Sequence, residues 1–366
     1  MVRVLHVMGK MDRGGAESML MNIYRHVNRE AIQFDFVVHS SDSSAYDSEI
    51  KAMGGKIYCV PRYKGWNHFA YCRWWNDFFN AHPEYTITHS HIRSTANIIL
   101  KYAKKHGSFT IAHSHSTSNG RGLSAVAKKV FQRGICKYSD SRFACSDEAG
   151  KWLFGNIFYQ IINNAIDTSM FAFDSAKREA TRNTLSINNR FVIGHVGRFI
   201  DAKNHVFLID LFQAIHAMLP KAILLLVGDG ALKKEIERKV SMRGLNDAVI
   251  FAGERKDVQD LLQAMDVFIF PSKYEGLPLT LIEAQTAGLP CLVSDTVTRD
   301  VAITHLIDYI PLSASTDLWI EKVMAYTTGY DRRDMRKDII QANFDIIKNA
   351  EYMENYYLSI THPSER

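Results

Sequence analysis

The sequence lacks the features that mark membrane-spanning, disulfide-stabilised and nucleic-acid-binding proteins. No run approaches the ~18 consecutive apolar residues that a membrane-spanning helix needs. Its five cysteines are scattered and show no C-x-x-C spacing, which is typical of a reducing compartment. The net charge is only +5 without a basic block, so nucleic acid is not an expected partner. With no signal-peptide pattern at the start, we expect a cytoplasmic protein.

What the chain does have is the composition and length of a two-domain globular protein. It contains 366 residues, of which 46% are apolar and 23% are charged, and this length exceeds one ordinary core. Strand-like runs alternate with helical patterns in both halves. The pattern predicts an α/β fold with two doubly wound, Rossmann-like domains that face a central cleft. We place the domains at 1–170 and 171–345, with 346–366 as a C-terminal helix packing on the first domain.

One strand–loop–helix–strand unit lies at residues 266–294. Pro278 suits the first turn of its helix, and Gly288 suits the position after the last turn. The free N–H groups of the helix start, at Gly276–Leu279, offer a binding site for an anion. Glu275 precedes that site and Glu283 follows it by roughly 7–8 Å of helical rise. The unit predicts a nucleotide-sugar site, while the alternative is two solvated surface glutamates.

Two basic residues stand where they would complete this anion site. Arg198 and Lys203 lie five residues apart in the loop after the strand Phe191–Val196. Together with a helix dipole, such cations stabilise a diphosphate that departs during cleavage of a sugar nucleotide. The polar run Asp174–Asn189 before this strand is interpreted as the linker between the domains.

Two glycine-rich loops resemble nucleotide-binding motifs without matching them. The spacing from Gly9 to Gly14 is that of a Walker A loop, but Gly15 stands where the motif needs lysine. Gly228-x-Gly230 resembles a dinucleotide fingerprint, but its third glycine is missing. Neither a P-loop NTPase nor NAD binding is therefore expected. The loop at Gly14 and Gly15 remains a second place where backbone amides can meet a phosphate.

Two strands, Thr86–His91 and Thr110–His115, each end in His-x-His. Residues i and i+2 of a strand share one face, so two such pairs on neighbouring strands suit zinc, and a zinc hydrolase is one alternative. No nearby carboxylate completes a ligand set. Proton relay or hydrogen bonding to a sugar is equally compatible with histidines at the carboxyl ends of parallel strands.

Two further segments are unusual in composition. Arg62–Asn80 is rich in aromatic residues, and helical spacing of Trp74, Trp75, Phe78 and Phe79 favours a core-facing stripe over a sugar-facing or lipid-facing surface. Ala125–Lys137 is predicted to be a helix with a basic face, which is solvated or docks on an anionic membrane.

Along essentially its whole length, the sequence resembles the family-4 (group 1) retaining glycosyltransferases of the GT-B fold. Of the motifs that carry the resemblance, the Glu-x7-Glu signature is the most specific. Ala-His-Ser-His115 and Cys-Ser-Asp-Glu-Ala-Gly150 are similar to bacterial capsule and exopolysaccharide transferases. The full set of motifs comprises residues 14–17, 162–167, 196–204, 226–230, 251–253 and 270–284.

The resemblance implies an enzyme of the EC 2.4 class, a retaining and metal-independent glycosyltransferase of polysaccharide biosynthesis. Its donor would be a nucleotide diphosphate sugar, with UDP favoured, and its acceptor a glycan or lipid-linked saccharide. No cofactor, no metal and no nucleic acid are implied. Peripheral contact with the inner face of the cell membrane stays open. A nucleotide-sugar-binding or epimerase-type protein of the same fold is the alternative.

The resemblance also assigns roles to individual residues. Arg198 and Lys203 would bind the diphosphate and Glu275 the donor sugar's hydroxyls, while His115 would contact the sugar near the reacting centre. Glu283 would hold the ribose hydroxyls. The other donor-binding residues implied, with Arg255 flanking the base, are Gly14, Gly15, Gly253, Arg255, Gly276, Leu277, Leu279 and Thr280. No Asp-x-Asp occurs in the chain, so the metal-binding motif of the other large transferase fold is missing.

Overall fold

The computed structural model describes residues 1–115 and 134–361, which form two compact units. Unit 1 comprises Met1–Ala165 and the segment from Ile346 onward, and unit 2 comprises Ile166–Asp345. The division thus falls five residues before our predicted boundary at 170. Most of the basic helix predicted at Ala125–Lys137 lies outside the described residues.

Unit 1 contains a seven-stranded, fully parallel sheet in the order β3-β2-β1-β4-β5-β6-β7. The strands are β1 Val2–Met8, β2 Ile32–Val38, β3 Ile57–Cys59, β4 Ile87–Ser90, β5 Phe109–Ser114, β6 Ser141–Ala144 and β7 Gln160–Ile161. Its first six described helices are α1 Gly15–His26, α2 Asp47–Ala52, α3 His68–Ala81, α4 Ala96–Lys105, α5 Ile135–Tyr138 and α6 Asp147–Phe154. Strands β1, β2 and β4 are buried along nearly their whole length, as expected for a parallel sheet covered on both faces.

Unit 2 repeats the design with six parallel strands in the order β10-β9-β8-β11-β12-β13. They are β8 Phe191–Val196, β9 Ala222–Val227, β10 Val249–Gly253, β11 Val267–Phe270, β12 Cys291–Ser294 and β13 Ile307–Ile310. The helices are α7 Thr168–Phe171, α8 Ser175–Thr184, α9 His205–Met218, α10 Lys233–Met242, α11 Val258–Ala264, α12 Leu279–Thr286, α13 Thr316–Met324 and α14 Arg336–Gln341. Short 3₁₀ turns occupy Asp201–Lys203 and Arg299–Val301.

The C-terminal helix α15, Ile346–Thr361, belongs to unit 1. It packs against α1, β1 and β2 through the buried residues Ile346, Ala350, Met353 and Tyr357. Tyr357 reaches across the core, and its hydroxyl lies 2.6 Å from Nδ1 of His89. This contact joins residues 268 positions apart in the sequence.

The aromatic segment of unit 1 is mainly core, as the helical spacing predicted. Trp75, Phe78 and Phe79 of α3 are buried, and Trp75 is entirely inaccessible. The residues before and at the start of the helix behave differently, because Trp66 and Phe69 are 80% and 84% exposed. Among the described residues, no helix is both long and apolar enough to cross a membrane.

The polar run at Asp174–Asn189 is part of unit 2 and does not form the predicted linker. Asp174 caps the start of α8 by accepting hydrogen bonds from the amides of residues 176 and 177. Arg182 of the same helix is buried and donates to the carbonyl of Ala264 at 2.7 Å. It also lies 3.2 Å from the carboxylate of Asp266, which starts the approach to β11. The prediction was wrong because charges satisfied by a partner elsewhere in the chain resemble solvated charges in sequence.

Candidate active site

The candidate donor site lies at the carboxyl ends of β8 and β11, the two central strands of unit 2. The chain proceeds from β8 towards β9 and β10 on one side, and from β11 towards β12 and β13 on the other. The loops after these strands therefore separate and leave a crevice, which is where open α/β sheets bind ligands. The β8 loop carries Arg198 and Lys203, and the β11 loop carries Glu275.

An ion pair between Lys273 and Asp201 and two hydrogen bonds tie these loops together. The side-chain amide of Asn204 donates to the carbonyl of Pro271 at 3.2 Å, and the backbone N–H of Lys273 donates to the carbonyl of Ala202 at 2.8 Å. Asn204 adopts a left-handed backbone conformation with φ of 55°, which asparagine tolerates better than most residues. These contacts fix the relative position of the two charged loops.

The central interaction is an ion pair between Lys203 and Glu275. Nζ of Lys203 lies 2.8 Å from Oε1 of Glu275, and the two side chains are only 13% and 14% exposed. The same Nζ sits 4.4 Å from the centroid of the Phe270 ring, in a cation–π contact. Sequence reasoning gave the two residues separate roles and did not predict their pairing.

Glycines on both sides make room for this pair and for Arg198. A Cβ at Gly197 would lie 3.2 Å from Cδ and Cε of Lys203. At Gly228, where φ is +136°, a Cβ would lie 2.2 Å from the carbonyl oxygen of Gly197. The Gly228-x-Gly230 motif therefore lets the β8 loop pack closely on the β9 loop. Arg198 is held at the surface by this packing and forms no ion pair within the described residues.

Helix α12 presents its positive end beside Glu275. Pro278 is the N-cap residue and provides no side-chain cap to the first amides of the helix. Gly276 is exposed, and Leu277, Leu279 and Thr280 are half-buried. These amides and the helix dipole favour an anionic group at this position. The helix ends as predicted, with Gly288 in the left-handed conformation at φ of +63°.

Glu283 lies one turn into α12, on the same face as Leu279. The side chain is half-buried, and burial of its carboxyl group among protein atoms raises its pKa to about 7. A carboxyl group with this pKa is partly ionised near neutrality. It can accept hydrogen bonds from vicinal hydroxyls once a ligand replaces the lost solvation.

Two buried histidines that sequence reasoning missed pack behind the β8 loop. Nδ1 of His195 is 2.9 Å from the carbonyl of Ile269, and the His205 ring stacks on Phe199 with centroids 4.1 Å apart. Burial lowers the pKa of both, that of His205 to about 4. They are therefore neutral next to Lys203. His195 is the one polar residue of the otherwise apolar run Phe191–Val196, and this was the available signal that its ring is buried.

The remaining residue predicted in unit 2 is engaged elsewhere. Arg255, which follows Gly253 at the end of β10, forms a two-pronged pair with Asp257 at 2.7 Å and 2.6 Å. The pair is exposed, so a ligand can compete for the guanidinium at little cost. Its role at a nucleotide base stays a prediction.

In unit 1, the predicted residues lie at the ends of β1 and β5. Gly14 is the N-cap of α1 and Gly15 its first residue, again without a side-chain cap. His115 follows β5 and lines a cavity of about 280 Å³ together with His91, Arg93 and Ser94. Its Nε2 lies 2.8 Å from Nδ1 of His91.

The histidines of both His-x-His pairs converge in unit 1. Two groups of three are close enough to share a metal ion, namely His6, His89 and His91, and His91, His113 and His115. His6 was not predicted, because its alignment with His89 depends on the register between β1 and β4.

A second, larger cavity of about 750 Å³ opens at the carboxyl ends of β1, β2 and β3. Its lining combines the basic side chains Lys10, Arg62 and Lys64 with the exposed ring of Trp66. Asp42 is the acidic residue among its lining residues. Cations and an aromatic ring together suit a ligand that joins an anionic group to an apolar or sugar portion.

Comparison with known proteins gives the same picture. The family described as glycosyl transferases group 1 matches residues 177–341. EpsF of Bacillus subtilis (strain 168), named as a glycosyltransferase, is 34% identical over 368 residues, covering 97% of this chain and 96% of EpsF. The Escherichia coli UDP-Gal:alpha-D-GlcNAc-diphosphoundecaprenol alpha-1,3-galactosyltransferase is 26% identical over 246 residues, covering 65% and 63% of the two chains.

Solved structures show the same fold. HepE of Anabaena in complex with UDP and glucose superposes with a TM-score of 0.71 at 17% identity, over 98% of this chain and 100% of HepE. A glycosyltransferase of Rickettsia africae gives a TM-score of 0.78 at 14% identity, over 99% of both chains. The fold is thus that of the GT-B glycosyltransferases, as the sequence predicted.

The similarity to EpsF spans nearly the whole of both chains, and the family match covers most of unit 2. The chain therefore belongs to the group 1 glycosyltransferases.

Proposed function

We propose that this glycosyltransferase moves a sugar from a UDP-sugar to a saccharide or lipid-linked acceptor in polysaccharide synthesis, with retention of anomeric configuration and without a metal. The observation that carries the proposal is the Lys203–Glu275 pair at the carboxyl ends of the central strands of unit 2. HepE in complex with UDP and the UDP-Gal donor of the Escherichia coli relative support the choice of nucleotide.

In this proposal, unit 2 binds the donor. Lys203 and the exposed Arg198 supply positive charge for the diphosphate, and the amides at the start of α12 add partial charge in fixed positions. Lys203 lies beside the carboxylate of Glu275, whose buried Oε1 has no hydrogen-bond partner within the described residues and can accept one from a sugar hydroxyl. The cations thus serve the leaving diphosphate without a divalent ion.

Retention follows if the acceptor hydroxyl attacks on the face that the diphosphate leaves. An oxygen of the departing phosphate then takes the hydroxyl proton, and the sugar–oxygen bond forms as the sugar–phosphate bond breaks. Burial lowers the pKa of His115 to about 4, so this histidine is a poor base at neutral pH. Its proposed contribution is therefore a hydrogen bond to the sugar.

Removal of either cation tests the donor site. We expect Arg198→Ala and Lys203→Ala each to lower turnover by at least about 100-fold, because both would lose transition-state charge stabilisation. Steady-state kinetics with a UDP-sugar panel measure the effect. Lys221→Ala is the matched control, since Lys221 is exposed directly before β9, at the opposite edge of the unit 2 sheet. Turnover within threefold of wild type in Lys203→Ala would contradict the assignment.

The metal-free, retaining mechanism makes a separate prediction. Turnover should change less than twofold when EDTA is added, because the diphosphate charge is met by Arg198, Lys203 and helix amides. The first-formed product should show the anomeric configuration of the donor when its anomeric proton is followed by NMR. Strong inhibition by EDTA that divalent ions reverse, or an inverted product, would overturn this part of the proposal.

Glu283 predicts a specific pH dependence. Its pKa is raised in the folded protein from 4.5 to about 7, so the protonated form favours folding. That stabilisation is complete below pH ~4.5 and disappears as the pH rises through about 7. Relative to wild type, Glu283→Gln should therefore gain stability towards pH 8, by up to about 3 kcal/mol.

The same variant should bind UDP more weakly at pH 8, where the wild-type carboxylate accepts hydrogen bonds from the ribose. Thermal unfolding and calorimetric titration with UDP between pH 5 and 8 measure both effects. Glu351→Gln, a change of an exposed glutamate in α15, serves as the control. Parallel stability curves for wild type and Glu283→Gln would show that the carboxyl group does not titrate in this way.

The 750 Å³ cavity of unit 1 is the proposed site for a lipid-linked acceptor. Arg62 and Lys64 suit a lipid diphosphate, while the exposed rings of Trp66 and Phe69 suit the interfacial region of a bilayer. The acceptor named for the Escherichia coli relative is a sugar on diphosphoundecaprenol. Peripheral contact with a membrane surface through these residues follows from the proposal.

We therefore expect the protein to bind vesicles that contain phosphatidylglycerol and to bind phosphatidylcholine vesicles more weakly. Trp66→Ser combined with Phe69→Ser should reduce binding at least about tenfold in a sedimentation assay, since two apolar rings no longer enter the interface. Phe158→Ser is the control, because Phe158 is 81% exposed elsewhere in unit 1. Equal loss in control and double variant would argue against a defined membrane-facing patch.

A further inference from the structure

Five histidines gather at the centre of the unit 1 sheet. His6 lies in β1, His89 in β4 and His113 in β5. His91 directly follows β4, and His115 directly follows β5. Successive strands are added on one side of β1 and on the other side of β4, so the strand order reverses between these two strands. Their register places His6 beside His89. The histidines thus occupy the position in unit 1 where a doubly wound sheet binds its ligand.

Three of these rings form a continuous hydrogen-bonded chain. Nδ1 of His6 lies 3.0 Å from Nε2 of His91, and Nδ1 of His91 lies 2.8 Å from Nε2 of His115. Both separations are hydrogen-bond lengths. His91 therefore uses both of its ring nitrogens, one towards the interior and one towards His115 at the cavity.

All three rings are neutral at physiological pH. Burial lowers the pKa of His6 to about 3 and that of His115 to about 4, and it lowers the pKa of His91 well below its usual range. A neutral imidazole carries one N–H and one lone pair. The three hydrogen-bonded rings consequently carry three N–H protons, and the two contacts between them use two of these protons.

Only two arrangements satisfy both contacts. In the first, His115 donates from Nε2 to His91, His91 donates to His6, and the Nε2–H of His6 remains. In the second, His6 donates from Nδ1 to His91, His91 donates from Nδ1 to His115, and the third proton resides on Nδ1 of His115. The two arrangements differ in where the unpaired N–H lies.

The surroundings of His6 distinguish the two. Nε2 of His6 is buried and has no hydrogen-bond partner in the part of the chain that the structure describes. A donor left there would lose its hydration without compensation, and orphaned buried N–H groups are rarer than under-used acceptors. Nδ1 of His115 has no such constraint, since His115 lines the cavity.

We propose that His6 and His91 act as positioning residues that fix His115 in its Nδ1–H tautomer, so that His115 offers a hydrogen-bond donor to an oxygen in the cavity. The proposal rests on the proposed function only for the identity of that oxygen, a sugar hydroxyl or a phosphate oxygen. In this tautomer, the lone pair of His115 accepts from His91 and is unavailable for proton abstraction. His115 is thus a donor and not a general base.

A shared metal ion is the competing interpretation of the same cluster. Tetrahedral zinc with Zn–N distances of ~2.0–2.1 Å holds its ligand nitrogens about 3.3 Å apart. The two contacts here are shorter, at 3.0 Å and 2.8 Å, and the groups named above consist of histidines alone. The geometry therefore favours protons over a metal at these contacts.

Two substitutions at His91 separate the tautomer effect from simple loss of packing. The amide of asparagine can occupy the position of Nδ1, so His91→Asn retains a donor to His115. The amide of glutamine reaches the position of Nε2, so His91→Gln retains the contact with His6 and loses the donor. Both variants remove an imidazole, and thermal unfolding establishes that each is folded.

Long-range ¹H–¹⁵N NMR of ¹⁵N-histidine-labelled protein reports the tautomer of each ring directly, with His115→Gln used to assign the signal. We expect the Nδ1–H form for His115 in wild type and in His91→Asn, and a mixture of tautomers in His91→Gln. An Nε2–H form in wild type, or no difference between the two variants, would overturn the proposal. Neither measurement requires transferase activity, so failure of the proposed function leaves this test intact.

Addition of Zn²⁺ to the labelled protein tests whether the histidines bind a metal ion instead. Unchanged His6, His91 and His115 signals at a twofold molar excess are the expected result. Saturable shifts of these three signals at stoichiometric Zn²⁺ would show a metal centre and would overturn the hydrogen-bonded chain.

Discussion

The structure depends on the divergence of strand connections at the middle of each parallel sheet. In unit 1 the loops after β1 and β4 lead to opposite sides of the sheet, and in unit 2 the loops after β8 and β11 do so. All strands of a sheet point the same way, so their carboxyl ends meet at one edge, and the loops part only at that place. The Lys203–Glu275 pair occupies this place in unit 2, and the histidine chain occupies it in unit 1. Both sets of chemically active side chains follow from one topological constraint.

That constraint also explains how sequence-based prediction succeeded and where it stopped. The apolar runs before Pro271 and after Pro290, and Gly288 between them, specify strand, helix and helix end locally, so the site helix was predictable. The pairing of Lys203 with Glu275 was not, since it depends on the adjacency of β8 and β11 and on the hydrogen bond from Asn204 to Pro271. Local patterns identify candidate residues, but the contacts between them come from sheet order.

The histidines show the same limit more strongly. The two His-x-His pairs are visible in sequence, but the hydrogen-bonded chain from His6 through His91 to His115 requires three strands in a specific register. His89 is further held by Tyr357 from the last helix, 268 residues away. The misassigned linker had a related cause, because Arg182 is a polar residue that finds its partners around Asp266 and becomes buried. Polar residues with distant partners are those whose environment a single sequence leaves undetermined.

At the central strands of their sheets, the two units differ in charge. Unit 2 retains charge in a half-buried site, and a lysine and a glutamate held 2.8 Å apart offset each other's lost hydration until a ligand arrives. Unit 1 removes charge, because burial keeps its imidazoles neutral. Charge in unit 2 suits a diphosphate, whose negative charge grows as the sugar departs. In unit 1, a neutral imidazole can donate a hydrogen bond to a ligand oxygen without adding a charge at that position.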